Sequence, residues 1–172
     1  MMKMTSAYAN KLLRQLEDDK SFYTAKESDS CTYVAALGEE PIIPEYDYTS
    51  VDKEISIINE KIQKIKHAIN LSNVNSKIDV DGEVLSADVI LIRMAQLNRR
   101  KDSLDYMRKM QVKQRQENRS YMSRTISVPE YRYINFDLEL VKKDFEKVSQ
   151  EIMKLQIALD KHNQTFEFEV DI

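Results

Sequence analysis

The chain has 172 residues, of which 42% are hydrophobic and 32% charged, and one compact domain accounts for that length. Only two glycines and three prolines occur. Each costs about 1 to 3 kcal/mol inside a helix, so their scarcity permits long helices, whereas a sandwich or barrel needs many turn residues. We therefore predict a mainly α fold within a single helical domain, residues 1–172: an antiparallel helical hairpin or bundle with coiled-coil packing, and a small β-hairpin or sheet at one end.

The cysteine count and the apolar runs indicate where the protein resides. Cys31 is the only cysteine, so no internal disulfide is possible, which suits a reducing cytoplasm. The first residues lead into a charged segment without the apolar region of a secretory signal. No run of 18 apolar residues is present, so we expect no membrane span and a cytoplasmic location.

The formal net charge of −3 is unevenly distributed along the chain. Residues 1–92 carry 10 Lys/Arg against 16 Asp/Glu, residues 93–132 carry 11 against 4, and residues 133–172 carry 5 against 9. A basic middle thus lies between two acidic flanks. These parts either face one another in the fold or leave a basic contact surface.

The N-terminal third predicts one helix and an extended connection. A helix is expected at about residues 6–28, with Thr5 or Ser6 as its N-cap. Cys31–Leu37 is rich in β-branched and aromatic residues and predicts a short strand. Two prolines in residues 38–48 then require an extended surface connection.

The clearest pattern predicts a helix at about residues 51–72. Its aliphatic residues are spaced 4, 3, 4, 3, 4, which is a heptad seam: Val51, Ile55, Ile58, Ile62, Ile65 and Ile69. Charged and polar residues flank this seam, and Ser50 or Asp52 can cap its start. A seam of this kind requires an apolar partner surface along its whole length.

A β-hairpin is predicted at about residues 77–85, because Asp81-Gly82 stands between alternating apolar residues. Ser86 is then expected to cap a helix at about residues 86–114. Lys101 interrupts the apolar seam of that helix and is expected either to extend outward or to face a carboxylate.

The last third combines a basic loop with a second regular helix. Residues 113–124 predict the loop, and residues 125–134 an edge strand, since Pro129 excludes a central position. Asp137 is expected to cap a helix at about residues 137–162. Its seam is spaced 3, 4, 3, 4, 3, 4: Leu138, Val141, Phe145, Val148, Ile152, Leu155 and Leu159. The alternating tail, residues 166–172, predicts a further strand.

The seams have two possible partners. Isoleucine-rich heptads favour assemblies of more than two helices, which predicts a homo-oligomer or another protein partner. An intramolecular bundle of three or four helices accounts for the same seams without a second chain.

Two stretches, Arg93–Leu104 and Glu130–Phe145, resemble the septicolysin-like family of uncharacterised bacterial coiled-coil proteins. The resemblance extends over Asp81-Gly82 and Ile152–Asn163, and so covers about the C-terminal two thirds of the chain. It implies a helical hairpin in a bacterial cytoplasm and assigns no catalytic or ligand-binding residue. The family's closing Asn-Trp is absent here, where Asn163 is followed by Gln164.

Catalytic, metal and cofactor sites find no support in the sequence. His67 lies at an outer heptad position, His162 lies near the end of the last helix, and neither has the spacing of a metal site. Cys31 lacks a neighbouring histidine, and the two glycines are too far apart to form a phosphate loop. We therefore predict no catalytic residue, no metal and no cofactor, and interpret His162 as a helix C-terminal residue.

The basic middle carries the remaining hypothesis, that of a nucleic-acid contact. Cations can neutralise phosphates and a tyrosine can stack on a base. The candidate residues are Arg99, Arg100, Arg108, Lys109, Lys113, Arg115, Arg119, Tyr121 and Arg124. The alternative is that these cations face the acidic helices. We favour a non-catalytic interaction or scaffold protein that self-associates, with nucleic-acid binding as the second hypothesis.

Overall fold

The computed structural model describes residues 1–116 and 129–172, and it confirms a mainly helical fold with small antiparallel strand pairs. The helices are α1 (Ser6–Ser30), α2 (Tyr48–Asn75), α3 (Ala87–Arg108) and α4 (Leu138–Thr165). The strands are β1 (Met2–Thr5), β2 (Ile78–Val80), β3 (Glu83–Leu85), β4 (Lys113–Gln116), β5 (Glu130–Tyr133) and β6 (Glu167–Val170). Within these residues no helix has both the length and the apolar character that crossing a membrane requires.

The chain forms two compact units. The first, unit 1, consists of Met1–Asp88 and Ala158–Ile172, and the second, unit 2, of Val89–Ile157. Whether the chain folds as one domain stays a prediction. The strands pair as β1–β6, β2–β3 and β4–β5, so the described residues contain three two-stranded antiparallel sheets, among them the predicted hairpin β2–β3.

Unit 1 is built on an antiparallel pair of helices, α1 and α2. Lys66 near the end of α2 reaches Glu17 on α1 at 3.2 Å, and Tyr46, just before α2, donates a hydrogen bond to Glu27 near the end of α1. Ile58, Ile62 and Ile65 of the α2 heptad are buried in a common core, and Ile69 packs against it. The other buried members of this core are Met4, Ala9, Leu13, Leu16 and Val170. The seam of α2 is therefore buried largely by residues of the same chain.

The chain ends of unit 1 pair with each other. β1 lies antiparallel to β6, with Met2 opposite Val170 and Met4 opposite Phe168. Met4 and Val170 are buried in the core. Thr5 then accepts a hydrogen bond from the Tyr8 backbone N–H and caps α1. β6 was predicted from the alternating tail, but β1 was not, because Met2–Thr5 is too short to show an alternation of apolar and polar residues.

The predicted hairpin is formed by β2 and β3, with Val80 opposite Glu83. Asp81 and Gly82 both have positive φ, 53° and 91°, as a two-residue turn of this kind requires. Asp79 accepts a hydrogen bond from the Gly82 N–H at 3.0 Å. Gly82 thus occupies a backbone conformation that few other residues adopt without strain.

The prediction of a strand at Cys31–Leu37 is wrong. This segment contains no strand and is exposed throughout, and it has no partner strand among residues 1–116 and 129–172. The connection continues to Asp47, whose side chain caps α2 through the Thr49 N–H in place of the predicted Ser50 or Asp52. Tyr46 is half-buried and attached to Glu27, whereas Ile43 is exposed.

Unit 2 contains the facing parts of α3 and α4, which run antiparallel. Arg93 pairs with Glu151 at 2.7 Å, and the Lys101 Nζ lies 5.7 Å from the Phe145 ring centroid. Lys101 is half-buried with its ammonium over an aromatic ring, and it forms no ion pair with a carboxylate of the described residues. The buried apolar residues of this pair are Ile90, Leu104, Val141 and Leu155.

Two predicted boundaries in the middle of the chain are corrected. α3 ends at Arg108 and does not continue to Gln114. Lys113–Gln116, predicted as the start of a basic loop, is strand β4 and pairs with β5. The polar side chains of β4 have no apolar period, so only the partner strand shows that this segment is extended.

The starts of α3 and α4 differ in how they are capped. Asp137 accepts hydrogen bonds from the N–H groups of Glu139 and Leu140, as predicted for α4. At α3 the predicted cap, Ser86, instead donates its hydroxyl to Asp88. The Ala87 N–H is bound at 2.7 Å by the hydroxyl of Ser76, so a residue from the end of α2 serves the start of α3.

Replacing Ile65 tests the core of unit 1. Ile65→Ala is expected to lower the free energy of unfolding by about 2 to 5 kcal/mol, because it leaves a cavity at a fully buried position. Ile42→Ala, at a 93% exposed position, is the matched control and is expected to change it by less than about 0.5 kcal/mol. Urea unfolding followed by circular dichroism measures both, and equal effects would contradict the packing described here.

Candidate nucleic-acid interface

β4 and β5 form an exposed antiparallel ribbon in unit 2. Lys113 is opposite Tyr133, Gln114 opposite Arg132, Arg115 opposite Tyr131, and Gln116 opposite Glu130. All eight residues are exposed. Antiparallel sheets usually pack one face on a hydrophobic core. Both faces of this ribbon are in solvent, so core packing does not explain why it forms.

One face of this ribbon combines two cations with two tyrosines. Directly opposite residues share a face and alternate residues lie on the same side, so Lys113, Arg115, Tyr131 and Tyr133 project together. We call these four residues the ribbon face. The Lys113 Nζ lies 4.2 Å from the Tyr131 ring centroid and 5.6 Å from that of Tyr133. The lysine is thus held beside two rings that remain exposed.

The other face is polar as well. It carries Gln114 and Gln116 from β4, with Glu130 and Arg132 from β5. The ladder is extended by a hydrogen bond from the Ile134 N–H to the Val112 carbonyl, and Ile134 is half-buried. The strands are therefore positioned by their backbone pairing and by the residues that follow them.

Two of the predicted candidates share one carboxylate near the end of α3. The Arg108 guanidinium pairs with Asp105 at 2.7 Å and lies 4.0 Å from the Phe145 ring, and Lys109 contacts the same carboxylate. Hydrogen bonds from Lys109 and then from Arg108 lower the pKa of the Asp105 carboxyl. One carboxylate leaves a net positive charge on this cluster, and Asp105 belongs to α3 itself. The alternative that these cations face the acidic helices stays a prediction.

The remaining candidates divide into three sets. Arg99 and Arg100 are exposed on α3 and form no ion pair with a residue of the described ranges 1–116 and 129–172. Lys113 and Arg115 belong to the ribbon face. The others lie outside the described residues: Arg119, Tyr121 and Arg124.

Tyr131, Arg132 and Tyr133 were not among the predicted candidate residues. Their segment was predicted to be an edge strand, and the alternation Tyr-Arg-Tyr within it was the available signal. The partner strand could not be predicted from the sequence. Only the register places both tyrosines on the same side as Lys113 and Arg115.

Metal chemistry finds no cluster in the part of the chain that the structure describes, where no three histidine, cysteine or acidic side chains converge. Cys31 is exposed on the connection between α1 and α2, and His67 is exposed on α2.

His162 lies in the last turn of α4 and stacks on Phe166, with ring centroids 4.7 Å apart. Its Nε2 atom is buried and has no hydrogen-bond partner among the described residues. Desolvation by burial lowers the pKa of this imidazole. The neutral form is therefore favoured, which opposes the predicted role of a cation at the helix C-terminus.

Comparison with known proteins supports the fold and assigns no activity. The chain matches no protein-family model and no curated protein. It is similar to the crystal structure of a functionally unknown conserved protein from Corynebacterium diphtheriae, with a TM-score of 0.66 and 14% sequence identity. The match covers 98% of this chain and 100% of that one. At this identity the similarity shows the fold alone.

The lowered pKa of His162 predicts a pH dependence of stability. The unfolded chain, with a histidine pKa of about 6.5, takes up the proton more readily than the folded chain. The free energy of unfolding should therefore fall as the pH drops through about 6.5, and level off below the folded pKa.

His162→Gln should flatten this dependence between about pH 7.5 and pH 5.5, as measured by urea unfolding at each pH. His67→Gln, at an exposed position on the neighbouring helix α2, is the control and should keep it. Identical pH profiles for the wild type and the His162 variant would rule out this assignment.

Proposed function

We propose that this chain is a non-catalytic binding protein whose ribbon face binds single-stranded nucleic acid. One observation supports this function: Lys113 and Arg115 stand opposite Tyr133 and Tyr131 on a strand pair that is exposed on both faces. Cations at these positions can neutralise phosphates, and exposed tyrosines can stack on unpaired bases.

The contacts within the ribbon face do not oppose this binding. The cation–π contacts of Lys113 at an exposed site contribute about 0.5 to 1 kcal/mol. Stacking of a base on an aromatic side chain contributes about 1 to 3 kcal/mol. A base that stacks on Tyr131 or Tyr133 therefore compensates for displacing the lysine, and the released ammonium gains a phosphate.

Spacing and surrounding charge favour the same ligand. Tyr131 and Tyr133 are two residues apart on one strand, a separation of about 6.6 Å, which leaves room for a base between the rings. Arg99 and Arg100 on α3 add exposed positive charge within the same unit. Single strands are favoured over duplexes, because bases paired in a duplex cannot stack on the tyrosine rings.

Fluorescence anisotropy with a labelled oligothymidylate tests this proposal. The wild type should bind with a salt dependence of about −0.7 per neutralised phosphate in log K against log salt. The double variant Tyr131→Ala/Tyr133→Ala should bind at least about tenfold more weakly. Arg115→Ala should reduce the salt slope by about 0.7.

The matched controls lie in unit 1. Tyr8→Ala and Tyr33→Ala remove tyrosines that are also about half exposed, and they should leave binding unchanged. No binding at low salt would exclude the proposal. Equal losses in the ribbon and control variants would contradict the assignment to the ribbon face, and a preference for duplex would exclude base stacking.

Self-association is a second candidate function, beside the intramolecular packing of the heptad seams. The α2 seam is buried largely within unit 1, as the intramolecular alternative expects. The supporting observation is in unit 2, where apolar side chains remain exposed on both helices: Leu91 and Ile92 on α3, and Met153 and Ile157 on α4. Met153 and Ile157 are one turn apart and share a face.

Sedimentation equilibrium tests self-association. A dimer that forms at micromolar concentrations is expected, and Met153→Glu/Ile157→Glu should abolish it, because two charges would then be buried at the contact. Lys142→Glu, at an exposed position on the same helix, serves as the control. A strictly monomeric wild type at high micromolar concentration would end this candidate and leave nucleic-acid binding untouched.

A cytoplasmic location and membership of the septicolysin-like family stay proposals. The exposed thiol of Cys31 supports a reducing compartment, since an exposed cysteine is prone to oxidation and intermolecular pairing elsewhere. The family resemblance implies a helical hairpin, and both units contain antiparallel helix pairs. Neither proposal assigns a catalytic residue.

A further inference from the structure

Unit 1 contains a groove that includes no residue of the ribbon face. It lies between the second half of α2 and the C-terminal segment from Phe166 to Asp171, and its volume is about 610 Å³. This size falls within the range of about 300 to 1,000 Å³ that is usual for sites of small organic molecules.

The walls of the groove are mainly apolar. Leu71 of α2 and Phe166 both line it and remain 51% and 45% exposed. Phe166 is held in place by its stacking on His162. Ala68 and Phe168, which also line the groove, pack against the core below. A concave apolar surface of this kind favours an apolar ligand body.

A buried polar group also lines the groove. Ser72 is 8% exposed, and its Oγ has no hydrogen-bond partner within the described residues. Buried hydroxyls are normally hydrogen-bonded, so this one retains the capacity to accept a bond that the protein leaves unused. This observation is independent of the apolar walls, and it indicates a ligand with a hydrogen-bonding group, because a hydroxyl can both donate and accept.

The charges around the groove indicate which charge the ligand should carry. Its lining includes the ammonium of Lys64, which is paired with Glu60 at 3.0 Å, and the imidazole of His67. It also includes three carboxylates, of which Glu169 lies 4.0 Å from Lys3. Asp171 attracts the Lys64 ammonium without reaching ion-pair distance, and Glu167 forms no ion pair within the described ranges. The lining is thus negative, which attracts a cationic group and repels an anionic one.

We propose that this groove binds a small apolar molecule that bears a protonated amine. The apolar body lies against Leu71 and Phe166, and the ammonium donates to the Ser72 hydroxyl or to the carboxylates of Glu167 and Asp171. The proposal does not depend on the ribbon face, which lies in the other unit.

Two probes with the same apolar body test the sign of the charge. Phenylbutylamine is titrated into the isotope-labelled full chain and followed by amide chemical shifts, and phenylbutyrate serves as the anionic counterpart. The amine should produce saturable shifts centred on Leu71, Ser72 and residues 166–171. Phenylbutyrate should bind at least about tenfold more weakly. Comparable binding of the two probes, or no saturable binding of the amine, would overturn the proposal.

Variants at exposed positions locate the site without disturbing the core. Leu71→Gln should weaken binding of the amine about fivefold, because part of the apolar wall is lost. Val74→Gln, at an exposed position on α2 outside the groove, is the matched control and should leave binding unchanged. Glu167→Lys/Asp171→Lys should reverse the preference toward phenylbutyrate. Equal effects of the Leu71 and Val74 variants would exclude this location.

Discussion

Burial of the α2 seam is the interaction on which unit 1 depends. Ile58, Ile62 and Ile65 recur at heptad spacing, and their side chains leave water only where α1 and the β1–β6 pair cover them. A pair of helices alone buries little apolar surface. The paired strands β1 and β6 contribute Met4 and Val170 to the same core, so they add buried apolar surface to that of the two helices.

The ribbon face follows from a different constraint, the pairing of backbone groups. β4 and β5 have no buried residue and gain nothing from a core. Their ladder places cations opposite aromatic rings, and exposed cation–π contacts contribute only about 0.5 to 1 kcal/mol. A surface held by such weak side-chain contacts can exchange them for a ligand, whereas Arg108 and Lys109 are both engaged by the carboxylate of Asp105.

The two proposed sites differ in charge, and this keeps them distinct. The ribbon face is basic and aromatic, whereas the groove of unit 1 is apolar with an excess of carboxylates. A polyanion is attracted to the first and repelled by the second. An acidic protein with a net charge of −3 can therefore contain a local anion-binding surface, because electrostatic attraction at contact depends on nearby charges more than on the total.

Several elements could be predicted because their signals are local. Heptad spacing in Val51–Ile69 predicts a helix, Asp81-Gly82 predicts a hairpin, and Asp137 predicts a helix start, because each depends on residues within a few positions of one another. The pairing of β1 with β6, and the shared face of Tyr131, Tyr133 and Lys113, are known from the folded structure and not from any local pattern. Pairing joins residues far apart in the chain, and short polar strands have no periodicity from which their partners could be predicted.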